Sequence, residues 1–232
     1  MTLPVAPLMA LPDLAGVGLE RTLPSAEGWE HHLLVTLPGP CAAVSSAPLN
    51  GGLRTVRAVV NRSVPQGWTC DDPEADMARY VAGAGLEPET TVGLITAVSM
   101  ADLRYEGAAR GEWRVHTFVT AGVGNAAAAG GRFPLEAAAG TVNLVVLVEG
   151  SLSPAALVGA VGSATEAKTA AFHAAGVATR FGERATGTTT DTVTVVNLSA
   201  TPASPYAGLA TVPGFLVADT VYHALCTALK GA

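Results

Sequence analysis

Seven runs of β-branched and aliphatic residues constrain this chain more than anything else in it. They read "HHLLVTL" (31–37), "CAAVSS" (41–46), "LRTVRAVV" (53–60), "TVGLITAV" (91–98), "WRVHTFVTA" (113–121), "TVNLVVLVE" (141–149) and "DTVTVVNL" (191–198). Each is bounded by Gly, Pro, Asn or Asp, which is the pattern of short strands closed by turns. Asn50-Gly51, between the second and third runs, is a strong hairpin signal.

Helices are fewer. One is expected over 72–84, opened by Asp72-Pro73 and closed near Gly85. A second is expected over 154–175, with Ser153 as N-cap, Pro154 in the first turn and Gly176 just past the end. A third covers about 214–230. Strands interleaved with so few helices predict an α/β or α+β fold: one domain with a mixed β-sheet flanked by helices. That domain is expected over 25–232, with residues 1–24 a loosely attached N-terminal extension.

Composition narrows the function classes. Apolar residues make up 49% of the 232, aromatics only 5%, with 26 glycines and 15 prolines, which suits a compact α/β protein rather than a disordered one. A net charge of −6 without a basic stripe argues against a nucleic-acid partner. No apolar run reaches the roughly 20 residues that span a bilayer, and the proline-broken start lacks a basic leader. A cytoplasmic protein with no membrane partner is expected. Cys41, Cys70 and Cys226 are odd in number and far apart, so they read as small hydrophobes, not as a disulfide or zinc framework. The histidines have no metal-ligand spacing, and the sequons at Asn61 and Asn197 mean little without secretion.

The helix over 154–175 contains "SATEAKTAAF" (163–172). At about 100° per residue, Lys168 falls in the middle of the stripe made by Leu157, Val161, Ala164 and Phe172. Glu166 falls on the opposite side, near Thr169 and His173. Small residues on both sides predict a helix packed on two faces. Lys168 either snorkels to water or is paired in a cleft, with Asp191 after "ATGTTT" a reasonable partner. Glu166 is either a solvated charge or a general acid/base.

"GVGNAA" (122–127) matches a dinucleotide fingerprint, but "GGRFP" downstream would break the helix that such a fingerprint needs. GxSxG, P-loop and HExxH motifs are absent. What remains is a set of polar residues in loops at strand ends: Ser45, Ser46, Asn50, Thr120, Asn125, Thr141, Asn143, Thr188 and Asp191.

"SSAPLNGG" (45–52), "VTAGVGNAAAAG" (119–130), "GTVNLVVLV" (140–148), "LSPAALVGAVGSATEAKTAAF" (152–172) and "ATGTTTDTVTVV" (185–196) occur in that order. Together they resemble the CbiZ family, the adenosylcobinamide amidohydrolases, over roughly 40–230. "SATEAK" stands where the family usually has Thr in place of Ser163. The resemblance implies a hydrolase of a linear amide C–N bond in corrinoid salvage, cleaving the aminopropanol amide of adenosylcobinamide to give adenosylcobyric acid. It also implies a small-molecule corrinoid partner and no cofactor or protein metal, cobalt arriving only within the substrate. A homo-oligomer is compatible with it.

Such a reaction needs an activated water, a stabilised oxyanion and a protonated leaving amine. Glu166 is the candidate base, or Asp191 if Glu166 faces solvent. Lys168 is a candidate for holding the oxyanion or the second carboxylate. Ser45, Ser46, Asn50, Thr120, Asn125, Asn143, Thr188 and Thr190 are candidate substrate contacts, with Asn50, Asn143 and the backbone N–H groups of 122–125 and 187–190 as oxyanion donors. Trp29, Trp68, Trp113 and Tyr105 offer stacking area for a corrin. The alternatives are a non-catalytic corrinoid-binding protein and a dinucleotide enzyme using Gly122 and Gly124.

Overall fold

The computed structural model describes residues 9–24, 30–132 and 140–231. Eight strands make one mixed sheet: β1 (Gly18–Arg21), β2 (His31–Ser45), β3 (Gly52–Ser63), β4 (Thr91–Thr96), β5 (Arg104–Arg110), β6 (Trp113–Ala121), β7 (Val142–Glu149) and β8 (Thr192–Asn197). Their order is β4-β3-β2-β8-β7-β6-β5, with β1 also paired to β2. β3 runs parallel to β4, and β7 parallel to β8; the other neighbours are antiparallel. Each parallel pair is bridged by a helix, α1 (Pro73–Gly83) for the first and α2 (Pro154–Ala174) for the second, as parallel pairing requires.

The capping chemistry works as the sequence predicts. The Asp72 and Ser153 side chains accept from the backbone N–H of Ala75 and Ala156, and Gly176 takes a positive φ of 69° beyond α2. The last helix, α3 (Val212–Ala228), starts two residues earlier than expected, capped by Thr211.

Two expected strands are one. Residues 31–37 and 41–46 form the continuous β2, and Pro38-Gly39-Pro40, which reads as a break, sits at a register shift between Thr36 and Cys41. β1 and β5 carry too weak a β signal to be read from sequence, and both are edge strands of the sheet. Within the stretch set apart above as an extension, Gly18–Arg21 pairs with β2 and Leu14 is buried.

β7 is buried on both sides, which explains its unbroken apolar run. Val142, Leu144, Val146 and Val148 meet α2 and α3 through Leu157, Phe172, Val221 and Leu225; Val145 and Leu147 face a second core with Leu33, Val35, Phe118 and Met100. α2 buries a single broad stripe, from Ala156 and Leu157 to Ala171 and Phe172, and leaves Val158, Gly162, Thr165, Glu166 and Ala170 on the outside. The expectation of two packed faces fails because alanine and glycine are small enough for either surroundings and carry no periodic signal.

The sheet also curls. Asn143 on β7 donates from Nδ2 to Asn61 Oδ1 on β3 at 2.8 Å and to the Ile95 carbonyl on β4 at 3.0 Å. These strands are not ladder neighbours of β7, so the bonds clasp the β3–β4 end of the sheet against the β7–β8 side. A cleft opens beside that clasp.

Candidate active site

The cleft has a volume of about 550 Å³, within the usual range for small-molecule sites. The ends of β3 and β4 supply one wall, with Val64, Ile95 and Thr96, and the loop beyond β3 adds Pro65 and Trp68. Opposite them stand Asn125, Thr141 and the "TGTTTD" loop, through Thr189, Thr190 and Asp191. Among the described lining residues, Asp191 is the one ionisable side chain.

Asp191 organises its own loop. Its Oδ1 accepts from the Val142 N–H at 3.0 Å and from the Thr188 hydroxyl; its Oδ2 accepts from the Thr188 N–H at 3.0 Å and from Lys168 Nζ. A carboxylate offers about four acceptor positions, and all are taken. The Lys168 and Asp191 side chains are 11% and 9% exposed, so each charge relies on the other for the solvation that burial removes. The pair lies tight against Gly187, where a Cβ would collide with Asp191 Oδ2 and Lys168 Nζ. Lys168 therefore sits in the apolar stripe and is paired, not snorkelling.

Glu166 is exposed on the outer face of α2, in a shallow depression with Thr165, Thr169 and His173, and does not line the cleft. Of the carboxylates singled out in the sequence, Asp191 is the one at the cleft.

The polar residues expected to contact substrate divide into two sets. Ser46, Asn125 and Thr190 line the cleft. Thr188 stands behind Asp191. Thr120 and Asn143 are fully buried: Asn61 Nδ2 donates to Thr120 Oγ1 at 3.1 Å, and Asn143 Oδ1 accepts from Thr192 Oγ1 at 2.6 Å. Both belong to the clasp and have no face toward the cleft. Ser45 is buried against Thr194, their hydroxyl oxygens 2.7 Å apart. Asn50 takes φ 56° in the β2–β3 turn and spends its amide on the carbonyls of Pro88 and Thr91. These four misplacements share one cause, since polar residues at strand ends serve turns and sheet closure as readily as ligands.

Trp68 lines the cleft, whereas Trp113 and Tyr105 pack at the edges of the two cores; Trp29 lies outside the described residues. "GVGNAA" leads into the two-residue strand Ala126–Ala127, paired with Gly187–Thr188, and not into a helix, so the phosphate-binding geometry of a dinucleotide fingerprint is not formed there. Cys41 is buried, but Cys70 and Cys226 are half-buried, and all three are free thiols. Asn61 and Asn197 are buried and hydrogen-bonded, so neither sequon is available in the fold. No helix among the described residues is long and apolar enough to cross a membrane.

Sequence reasoning missed Thr189, Thr96 and the apolar wall of Val64, Pro65 and Ile95. Thr189 was within reach, because it stands in the signature loop, but nothing distinguishes it there from its threonine neighbours.

Residues 20–232 match the family model for CbiZ, adenosylcobinamide amidohydrolase. The adenosylcobinamide amidohydrolase of Methanosarcina mazei is 30% identical over 203 residues, covering 84% of this chain and 92% of that protein. Among solved structures, the PH0078 protein from Pyrococcus horikoshii OT3 superposes with a TM-score of 0.52, covering 92% of this chain and 84% of its own. Its sequence is 8% identical, so that likeness bears on the fold alone.

Proposed function

Because this chain belongs to the adenosylcobinamide amidohydrolase family, we propose that it hydrolyses the aminopropanol amide of adenosylcobinamide, giving adenosylcobyric acid for corrinoid salvage in the cytoplasm. The chain is a hydrolase; the bond, product and pathway are our reading. The observation that carries it is the cleft, which sets an ordered carboxylate and a row of hydroxyls against an apolar wall containing Trp68. A corrinoid is far larger than 550 Å³ of cleft, so the propionamide arm enters while the ring lies across the mouth. No resident metal or cofactor takes part in this reading, and cobalt belongs to the substrate.

The chemistry asks one group to take a proton from water and return it to the leaving nitrogen. Asp191 is that group. Of its four donors, the Thr188 hydroxyl is the one that can swing away by a side-chain rotation, freeing Oδ1 for water. Water oxygen then bonds the amide carbon, the C–N bond breaks, and the proton held on Asp191 passes to the amine. Lys168 holds the carboxylate in place throughout. Asn50 and Asn143 have their amide hydrogens committed elsewhere and are set aside as oxyanion donors.

Incubation with adenosylcobinamide, followed by chromatography, tests the reading. Appearance of adenosylcobyric acid and free aminopropanol in equal amounts is expected. Tight binding of unchanged adenosylcobinamide would favour a corrinoid-binding protein instead.

A further inference from the structure

Resting on that amide-hydrolysis reading, we propose that the Thr189 hydroxyl is the donor that stabilises the oxyanion of the scissile amide, and that Asn125 is the positioning residue that aims it. Thr189 is exposed at the cleft, two residues from Asp191 on the same loop. Asn125 Nδ2 donates to Thr189 Oγ1 at 2.7 Å. A hydroxyl carries one proton and two lone pairs, so the oxygen facing an N–H must turn its proton elsewhere.

Neighbouring threonines are already spent. Thr141 donates to the Thr190 carbonyl at 2.8 Å, Thr190 to the Gly140 carbonyl at 2.9 Å, Thr192 to Asn143 Oδ1 at 2.6 Å, and Thr188 to Asp191. Thr189 alone of this group donates to nothing among the described residues. Its proton is free for an acceptor entering the cleft.

Asn125 is built for this task. It is only 8% exposed, and its Oδ1 is buried without a partner, packed where a Cβ on Gly140 would collide with it. A buried amide that leaves its oxygen unsatisfied while its nitrogen meets Thr189 is the kind of exception that functional sites hold. The acceptor this arrangement suits is a carbonyl oxygen gaining negative charge. That assigns the substrate class at this point of the cleft: a carboxamide, whose oxygen docks on Thr189 while its carbon faces the water at Asp191.

Turnover of adenosylcobinamide by the wild type, T189V, T189S and N125D tests the proposal. Loss of one oxyanion donor typically lowers kcat by about 10²–10³, so T189V should fall in that range with KM little changed, and T189S should recover most of it. In N125D a carboxylate replaces the amide donor and captures the Thr189 proton, so kcat should fall at neutral pH. It should rise relative to wild type as the pH drops toward about 4, where an aspartic acid regains a proton to donate. A merely structural role for Asn125 would give no such pH-dependent recovery. T189V within threefold of the wild-type kcat, or an N125D-to-wild-type ratio flat in pH, would overturn the inference and leave the amidohydrolase reading standing. Absence of turnover by the wild type would sink both, and is seen before any variant is made. Should N125D fail to fold, T189V against T189S still decides, because Thr189 is exposed.

Discussion

At the scale of single residues, the Lys168–Asp191 pair controls the site, because one carboxylate fixes the loop, the start of β7 and the lysine together. Asp191→Asn strands a buried ammonium, and loss of one partner of such a pair costs about 3–5 kcal/mol. Lys168→Met keeps the stem and leaves the carboxylate three donors, so it should cost less, about 1.5–3 kcal/mol. Urea denaturation of both variants gives the order; the reverse order would mean that the lysine, and not the carboxylate, organises the loop. A second prediction separates the two sides of α2. Glu166→Gln should leave kcat within about twofold, since exposed charges outside a site contribute little. Gly187→Ala should lower kcat more than tenfold, about 1.4 kcal/mol of barrier, by pushing Asp191 and Lys168 apart. The position of Lys168 was legible from helical periodicity alone. That Asp191 spends all four acceptor positions was not, since it depends on the β7 backbone coming within reach.

At the scale of elements, the Asn143 clasp ties strands that no ladder joins. Asn143→Leu fills the volume but takes from the buried Asn61 oxygen and from the Thr192 hydroxyl the partners they have in the fold. Each orphaned group costs about 1–3 kcal/mol, so the urea midpoint should fall well beyond that of an ordinary surface variant. Hydrogen exchange should quicken at the ends of β3 and β4 before it does in β7. An unchanged midpoint would mean that packing, and not the amide network, keeps the sheet curled. Polar residues at strand ends read as ligands in the sequence, and two of them, Thr120 and Asn143, belong to this clasp. The hydrophobic pattern marks strands well but carries no information on which strand ends meet across a curl.

At the scale of the whole molecule, acid should weaken the fold in two stages. Burial holds the His32 imidazole below its usual range, against the opposing pull of Glu20 and with a smaller push from His31. A depressed base is neutral in the fold and takes up protons on unfolding, so its contribution is present above about pH 6.5 and lost as the pH falls through its folded value. The hydrogen bond from Arg62 holds the Asp76 carboxyl below its usual range, outweighing its partial burial, with smaller help from Arg79. Its contribution is present above about pH 4 and lost below it, as the carboxyl is protonated. Arg62 lies on β3 and Asp76 on α1, so the second stage loosens the first parallel unit. Tm measured against pH should decline from neutrality downward, with His32→Gln flattening the upper stage and Asp76→Asn the lower. A Tm that rises on acidification to pH 5 would contradict the sign.

What the sequence determined by itself is local: the strands at 113–121 and 142–149, the helix caps at Asp72 and Ser153, and the lysine misplaced in an apolar stripe. These follow from side-chain period and from hydrogen bonds spanning three or four residues, which the order of residues already contains. Only the tertiary structure decided which carboxylate stands at the cleft, which amides close the sheet, and which threonine keeps a free proton. Those outcomes depend on atoms brought together from positions 48 to 147 residues apart, such as Asn143 with Ile95, Asn125 with Thr189 and Ser46 with Val193. A hydrogen-bonding group serves whichever partner the fold delivers, and one-dimensional pattern does not record that delivery.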